Sequence, residues 1–167
     1  LDKILIYFIN DTFTPPTIIL KEAEGNHSIV LNDFLTEINE IKLWKSKDFV
    51  LEDDKQQKFD FVAKVFKIYY PGNQKSKVSL AGHNREVTDT PLHKYIPEFE
   101  DEFFEEDENK VKRNYIIKTY ILGDYLDNNV SLERETFDFP KDTKDTYFPF
   151  GQADLERKAS EISKEAF

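Results

Sequence analysis

Arg134 occupies the setting in this chain that is best suited to chemistry. It lies in a short charged stretch, residues 131–135, between an apolar run that ends at Leu122 and an alternating run at residues 136–139. Loops that a sheet holds in place often carry functional side chains, and the planar fork of guanidinium donors suits phosphate or carboxylate. The alternative is an ordinary surface ion pair between Arg134 and a neighbouring carboxylate, which would contribute little to stability.

The elements on either side of this stretch predict two strands joined by a loop. Tyr115–Leu122 is a nearly continuous apolar run, as in a buried strand, and Gly123-Asp124 interrupts it. A polar stretch, Asp127–Asn129, comes next. Pro140 ends the alternating run because proline cannot donate a ladder hydrogen bond. We therefore expect the Arg134 loop to stand at an exposed end of a sheet.

Hydrophobic patterning predicts both strands and helices over the rest of the chain. The predicted strands are Lys3–Ile9, Thr17–Leu20, Ser28–Leu31, the short extended piece Phe49–Asp54, the long strand Lys58–Tyr70, and Lys77–Ala81, which returns antiparallel. The predicted helices run from Asn32 or Asp33 to near Trp44, from Thr88 or Asp89 through Ile96, and over Gln152–Phe167. The acidic run Glu98–Asn109 is expected to be a solvated loop or helix with its aromatic side chains turned inward.

Composition argues against several classes of function. The formal net charge is −10 and the arginines are scattered, so phosphates of nucleic acid would repel the chain. There is no cysteine, and the three histidines lack metal-ligand spacing, so we predict neither a disulfide nor a metal site. No uncharged apolar run approaches the length of about eighteen residues that a membrane span needs. No secretory signal pattern is present either, and we expect a cytoplasmic protein.

The motif around Arg134 resembles the second-domain motif of the GHKL ATPases, which include gyrase B, heat-shock chaperones, histidine kinases and MutL. In MutL-like members a strand carrying Asp-x-Asn-Val precedes a loop whose lysine reaches the ATP γ-phosphate, and the next strand ends in an aromatic residue. Asp127, Asn129, Val130 and Phe139 fall on that pattern without a gap, and Arg134 falls on the lysine. The chaperones use arginine there. Ser131-Leu132 replace the His-Pro of the MutL loop, which leaves the loop shape open.

A second stretch is similar to the Val-Asn-Gly-Arg-x-Val hairpin of MutL-like transducer domains. Residues 81–87 keep Arg85 and Val87, while His83 and Asn84 replace Asn-Gly. Asparagine tolerates the left-handed backbone that a tight hairpin turn requires, so the replacement is physically sensible. Arg85 could reach a nucleotide or a neighbouring domain, or simply support the hairpin.

The resemblance implies the transducer, or middle, domain of a GHKL-type ATPase. It implies an α+β fold: a mixed sheet with helices on one face and a β-α-β unit of left-handed crossover, like the second domain of a small-subunit ribosomal protein. Residues 1–140 would form this domain, with a sheet portion at 1–75 and the motifs at 76–140. Residues 141–167 would add an irregular segment and a helix. Because the chain opens on an apolar run without Met and stops inside a helical pattern, we expect an internal fragment of a longer protein.

The implied role of Arg134 is to contact the γ-phosphate of ATP held with Mg²⁺ by a preceding nucleotide-binding domain of the same protein. The fragment itself carries no phosphate-binding loop, neither G-x-x-x-x-G-K-S/T nor G-x-G-x-x-G, and is expected to bind no cofactor and to be inactive alone. The resemblance also allows a protein client and a homodimeric parent, without direct contact to nucleic acid or membrane. The alternative is an acidic protein–protein interaction module with no catalytic role.

Overall fold

The computed structural model describes residues 5–6, 15–23, 27–33, 40–133, 135–142 and 147–166. The strands are β1 Ile19–Lys21, β2 Ser28–Val30, β3 Ile41–Glu52, β4 Lys58–Tyr69, β5 Lys77–Gly82, β6 Arg85–Glu86, β7 Thr90–Pro91, β8 Phe103–Glu106 and β9 Lys112–Leu122. The helices are α1 Asp124–Asn128 and α2 Gln152–Glu165, with 3₁₀ turns at Leu92–Lys94 and Pro97–Phe99. The fold is therefore mixed α+β with a body made mostly of sheet, as the sequence predicts.

Strand β9 organises the main sheet. The order is β3-β4-β9-β5-β6, in which β9 pairs antiparallel with β4 and parallel with β5. The first residues of β9 pair with β8 on the side that β5 occupies further along. Strands β4 and β9 are central because both their faces are apolar, and a strand that is buried on both sides carries no polar alternation. The predictions for these two strands are confirmed.

Both faces of the sheet are covered. On one face, α1 and α2 place Tyr125, Leu126, Leu155, Ala159 and Ile162 against Phe61, Val65, Leu80 and Ile117 of the strands. The opposite face carries a smaller cluster made of Leu5, Ile6, Ile41, Phe66, Ile68, Ala81, Ile116 and Tyr120. Helix α2 confirms the predicted C-terminal helix, since Leu155, Ala159 and Ile162 lie on one stripe and are fully buried.

The segment from Ile41 to Trp44 is strand, and the predicted helix to near Trp44 is wrong there. Ile41–Glu52 forms one 12-residue strand paired along its length with β4, so the predicted extended piece at Phe49 is only its second half. The neighbouring strand provides ladder partners for Ile41–Leu43 and from Lys45 onward, with a shift in register at Trp44, and tertiary pairing of this kind overrides helical spacing. Residues 34–39, where the helix was predicted to begin, lie outside the described residues, as does most of the predicted strand Lys3–Ile9.

Three further predictions need correction. Strand β5 runs opposite to β4, as expected, but its partner is β9, which lies between them. The helix predicted from Thr88 through Ile96 is instead β7 and two 3₁₀ turns, because Pro91 and Pro97 interrupt an α-helical hydrogen-bond pattern. The acidic run contains strand β8, in which Phe103 packs inward and Phe104 is exposed by the alternation of a strand.

Candidate functional site

The site begins where β9 ends, at Gly123. A Cβ at this position would lie 2.7 Å from the carbonyl oxygen of Asp60 and 2.9 Å from Cδ1 of Phe61, so only glycine allows the chain to pass this close to β4. The chain then turns into α1, whose Tyr125 and Leu126 are buried against the sheet. The polar stretch of the sequence is therefore a short helix that follows the central strand directly.

Asp127 joins α1 to the hairpin between β5 and β6. Its Oδ1 accepts a hydrogen bond from the backbone N–H of His83 at 2.6 Å. His83 and Asn84 both have positive φ, 48° and 58°, and Gly82 pairs with Arg85 across the two-residue turn. This geometry confirms the predicted tight turn and is the primed type that suits the twist of a hairpin.

Gly82 brings the same hairpin against Val130. A Cβ at Gly82 would lie 3.1 Å from Cβ of Val130 and 3.5 Å from the carbonyl oxygen of Leu126. The two stretches that resemble the transducer motifs are 44 residues apart at the His83–Asp127 hydrogen bond, yet the fold places them in contact. Sequence patterning alone did not predict this contact.

A closed loop follows Val130. Val130 and Phe137 form an antiparallel bridge, Asp138 N–H donates to the carbonyl of Asn129, and Ser131 N–H donates to the carbonyl of Thr136. The alternating run at residues 136–139, predicted as a strand, contributes only this bridge. The described residues of this segment, 131–133 and 135–136, thus belong to a loop that is held at its base.

Aromatic packing supports the base of that loop. Phe139 is buried and stacks on Tyr125, with ring centroids 5.4 Å apart, and on Phe137, 4.6 Å apart. Asn129 donates from Nδ2 to the carbonyl of Tyr125. Asn129, Val130 and Phe139 therefore support the base of the loop in this structure.

Arg134 itself lies outside the described residues. Its neighbours Glu133 and Glu135 are exposed, and Leu132 is fully exposed to solvent. Arg85 is exposed as well, on the adjacent hairpin.

A group of charged side chains surrounds the buried Lys118 beneath the hairpin, on the face of the sheet away from α2. Lys118 of β9, 2% exposed, donates a hydrogen bond to Asp89 at 2.9 Å, and its Nζ lies 3.0 Å from Oε2 of Glu86 at a poor hydrogen-bonding angle. Lys77 also pairs with Asp89, at 2.5 Å. Partial burial would raise the pKa of the Asp89 carboxyl, but the hydrogen bonds from Lys77 and Lys118 outweigh burial and hold the pKa below its usual value. In the sequence, the indication of this group is Lys118, a charged residue within the apolar run Tyr115–Leu122.

A groove of about 420 Å³ adjoins the loop on its other side. It is lined by acidic, amide and aromatic side chains, among them Asp53, Asp124, Asn128, Asn129, Tyr147 and Phe148. Tyr125 also lines the groove, and its hydroxyl donates a hydrogen bond to the carbonyl of Phe150. A second groove, which shares Asp53 and Pro149 with the first, lies between the end of β3 and α2. Sequence reasoning did not predict either groove.

No protein-family model, no curated protein and no solved structure matches the chain. Within the described residues, no group of three or more His, Asp or Glu side chains is arranged to hold a metal ion. None of the described helices has the length and apolar character needed to cross a membrane.

Proposed function

We propose that this chain is the transducer, or middle, domain of a GHKL-type ATPase of the chaperone or MutL kind. One observation supports this most: the hairpin bearing Arg85 and the Asp127–Val130 segment, which resemble two separate motifs of such domains, meet at one end of the sheet through the His83–Asp127 hydrogen bond. The finer fold that goes with the proposal is the ribosomal-protein-like one with a left-handed β-α-β crossover, in a cytoplasmic protein.

Arg134 is the proposed catalytic residue. The loop that carries it is closed by Val130 and Phe137 and is supported by the stacked rings of Phe139 and Tyr125. A guanidinium delivered on such a base stabilises the charge that builds on a γ-phosphate during phosphoryl transfer. In the parent protein, ATP with Mg²⁺ would be bound by the preceding domain, and insertion of Arg134 would couple the nucleotide state to domain closure.

Steady-state ATPase measurements on the full-length protein test this role. We expect Arg134→Ala to lower kcat by roughly 100- to 1,000-fold while nucleotide affinity changes little, because the lost donor acts mainly on the transition state. Arg134→Lys should retain part of the activity, since lysine keeps the charge but loses the bidentate geometry. Glu133→Ala and Glu135→Ala are matched controls on the same loop, and both should hydrolyse ATP near the normal rate.

Two results would contradict the proposal. One is an Arg134→Ala protein that hydrolyses ATP at the wild-type rate. The other is an upstream coding sequence without a helix carrying Glu-x-x-x-Asn followed by Asp-x-Gly-x-Gly, the nucleotide pocket that the proposal requires.

The second candidate function is an interaction module without catalysis. Exposed apolar side chains on the edge strand β3 favour it: Leu43, Trp44 and Val50 are 43–51% exposed. The double substitution Leu43→Ser/Val50→Ser should abolish binding of a partner that docks on this strand. Arg134→Ala should leave that binding intact. The reverse result would favour the transducer proposal.

A further inference from the structure

Strand β8 has one open edge among the described residues. It pairs with β9 over Phe103–Glu106, and no other described strand pairs with it. Strand β5 lies on the same side of β9, but its pairing starts at Lys118, whereas the pairing of β8 stops at Tyr115. An open edge presents backbone donors and acceptors to which a further strand can bond.

The hydrogen bonds of the β8–β9 hairpin show which β8 residues face this open edge. Asp107 N–H donates to the carbonyl of Val111 at 3.0 Å, so residue 107 faces β9. Bonded and non-bonded pairs alternate in an antiparallel ladder, and the backbone groups of Phe104 and Glu106 therefore point away from β9. Asn114, the ladder partner of Phe104, agrees with this alternation, because its carbonyl accepts a hydrogen bond from the residue that follows β4 on the far side of β9.

The side chains of these two outward-bonding residues are exposed on one face of the strand. Phe104 is 58% exposed, although Lys112 lies over its ring at 4.4 Å, and Glu106 is exposed as well. Residues two apart on a strand project to the same face. Glu105 projects to the opposite face, where it pairs with the buried Lys67. The open edge therefore displays one apolar and one acidic side chain.

The charge around this edge is negative. Residues 98–108 include eight acids, of which three pair with a lysine: Glu98 with Lys164, Glu100 with Lys75, and Glu105 with Lys67. The other five form no ion pair within the described part of the chain, and Asp101, Glu106 and Glu108 among them are exposed. Lys110 and Lys112 of the hairpin offset only two of these five charges. A second copy of the chain would bring like charges together here, so the charge favours a basic partner.

We propose that the open edge of β8 binds an extended basic segment of another protein, which adds to the sheet as an antiparallel strand. Backbone hydrogen bonds to Phe104 and Glu106 hold the segment, as in other cases of strand addition. Residues directly opposite each other share a face, so the segment carries an apolar residue opposite Phe104 and a basic residue opposite Glu106. Because the two strands run in opposite directions, the basic residue precedes the apolar one by two positions. The inference does not depend on the proposed ATPase role.

Binding of a synthetic peptide to the chain tests this proposal. The probe is fluorescein-labelled Lys-Thr-Val-Thr-Lys-Thr-Val, and its counterpart has Glu in place of both Lys residues. Fluorescence polarisation measures the Kd of each peptide. The basic peptide should bind, and the acidic peptide should bind more weakly by about tenfold or more. Added salt should raise the Kd of the basic peptide, because screening weakens attraction between exposed charges.

Substitutions on β8 locate the site. Glu106→Lys should weaken binding of the basic peptide by about tenfold or more and should restore binding of the acidic peptide, because it reverses the charge opposite the peptide residue. Phe104→Ala should weaken binding about threefold to tenfold, since it removes an exposed apolar contact. Two controls should keep the Kd within about twofold. Glu52→Lys makes the same charge change at the exposed end of β3, and Leu43→Ser/Val50→Ser alters the other edge of the sheet.

Hydrogen exchange observed by NMR tests the backbone pairing. The basic peptide should protect the amides of Phe104 and Glu106, which face the open edge. It should have little effect on those of Phe103 and Glu105, which already donate to β9. A peptide N-methylated at its Lys and Val amides should lose binding, because those amides donate to β8. The same peptide N-methylated at its Thr amides should keep it.

Four outcomes overturn the inference. The first is a basic peptide that does not bind at about 1 mM. The second is an unchanged Kd in Glu106→Lys. The third is binding without protection of the Phe104 and Glu106 amides. The fourth is protection of these amides that appears without peptide and grows with protein concentration, which would show that a second copy of the chain covers the edge.

Discussion

Replacing Lys118 with methionine should destabilise the fold more than any exposed ion-pair substitution in the chain. Lys118 lies in the central strand β9, with a side chain 3% exposed, next to the Glu86 side chain, which is 14% exposed. Methionine fills the space of the aliphatic stem but carries no charge, so Lys118→Met leaves the Glu86 carboxylate buried without its cation.

The expected cost can be worked out from these contacts. Removing one partner of a buried ion pair costs about 3–5 kcal/mol, and the lower half of that range applies because Lys118 and Glu86 are not well aligned for a hydrogen bond. Asp89, whose side chain is 35% exposed, keeps its contact with Lys77 and adds at most about 1 kcal/mol. The total is about 3–5 kcal/mol. With a urea m-value of about 2 kcal/mol/M, the unfolding midpoint should fall by about 1.5–2.5 M.

Urea unfolding followed by circular dichroism measures this difference. Lys75→Met is the matched control, because Lys75 pairs with Glu100 at 2.7 Å and both side chains are 51% exposed, so its cost should stay within about 0.5 kcal/mol. Lys118→Met/Glu86→Leu should recover most of the loss, since an apolar pair in a buried site is often as stable as the ion pair it replaces. A Lys118→Met protein that loses less than about 1 kcal/mol, or no more than Lys75→Met, would refute the reasoning.

Three other properties can be tested on the chain. Gly123→Ala should lower the unfolding free energy by at least about 2 kcal/mol, or about 4–8 °C in Tm, because the new Cβ meets a backbone carbonyl at 2.7 Å; an unchanged thermal melt would contradict this. Burial raises the pKa of Tyr125 to about 12, so its contribution to stability is complete below about pH 10 and is lost as pH rises toward 12; the unfolding free energy of Tyr125→Phe should therefore fall less over that interval. The lowered pKa of Asp89 affects stability at acidic pH. The contribution of Asp89 to the unfolding free energy is complete above the usual pKa of 3.8 and is lost as pH falls through the pKa of the folded protein. Asp89→Asn should thus flatten the acid limb of stability against pH, and an equal slope in wild type and variant would count against the Lys77 and Lys118 contacts.

The local sequence pattern was sufficient to predict the elements that do not depend on contacts with distant parts of the chain. Strand β9 follows from an apolar run longer than a surface strand would carry, and α2 follows from the single stripe of Leu155, Ala159 and Ile162. The turn at His83-Asn84 was predictable because asparagine accepts positive φ, and both residues adopt it.

Local chemistry failed where a distant strand decided the outcome. Residues 41–44 have helical as well as alternating spacing, and they form a strand because β4 pairs with Ile41–Leu43 and resumes pairing at Lys45. Strand β5 was expected beside β4, its predecessor in the chain, but it pairs with β9 from more than 30 residues further on. Such pairings depend on which strands meet in the sheet, which no window of sequence contains.

The same division holds for the candidate site. The residue types and spacing of the Arg134 motif, and of the hairpin that carries Arg85, can be read directly from the sequence, and so can the acidic surface and the lack of a phosphate-binding loop. Only the tertiary structure brought His83 to Asp127 and Gly82 to Val130, and placed Glu86 beside Lys118. The physical reason is that sequence spacing determines only which side chains share a strand face or a turn. Contacts between separate segments of the chain arise when β5 pairs with β9 in parallel. This pairing brings the ends of the two strands together and buries the side chains that lie between them.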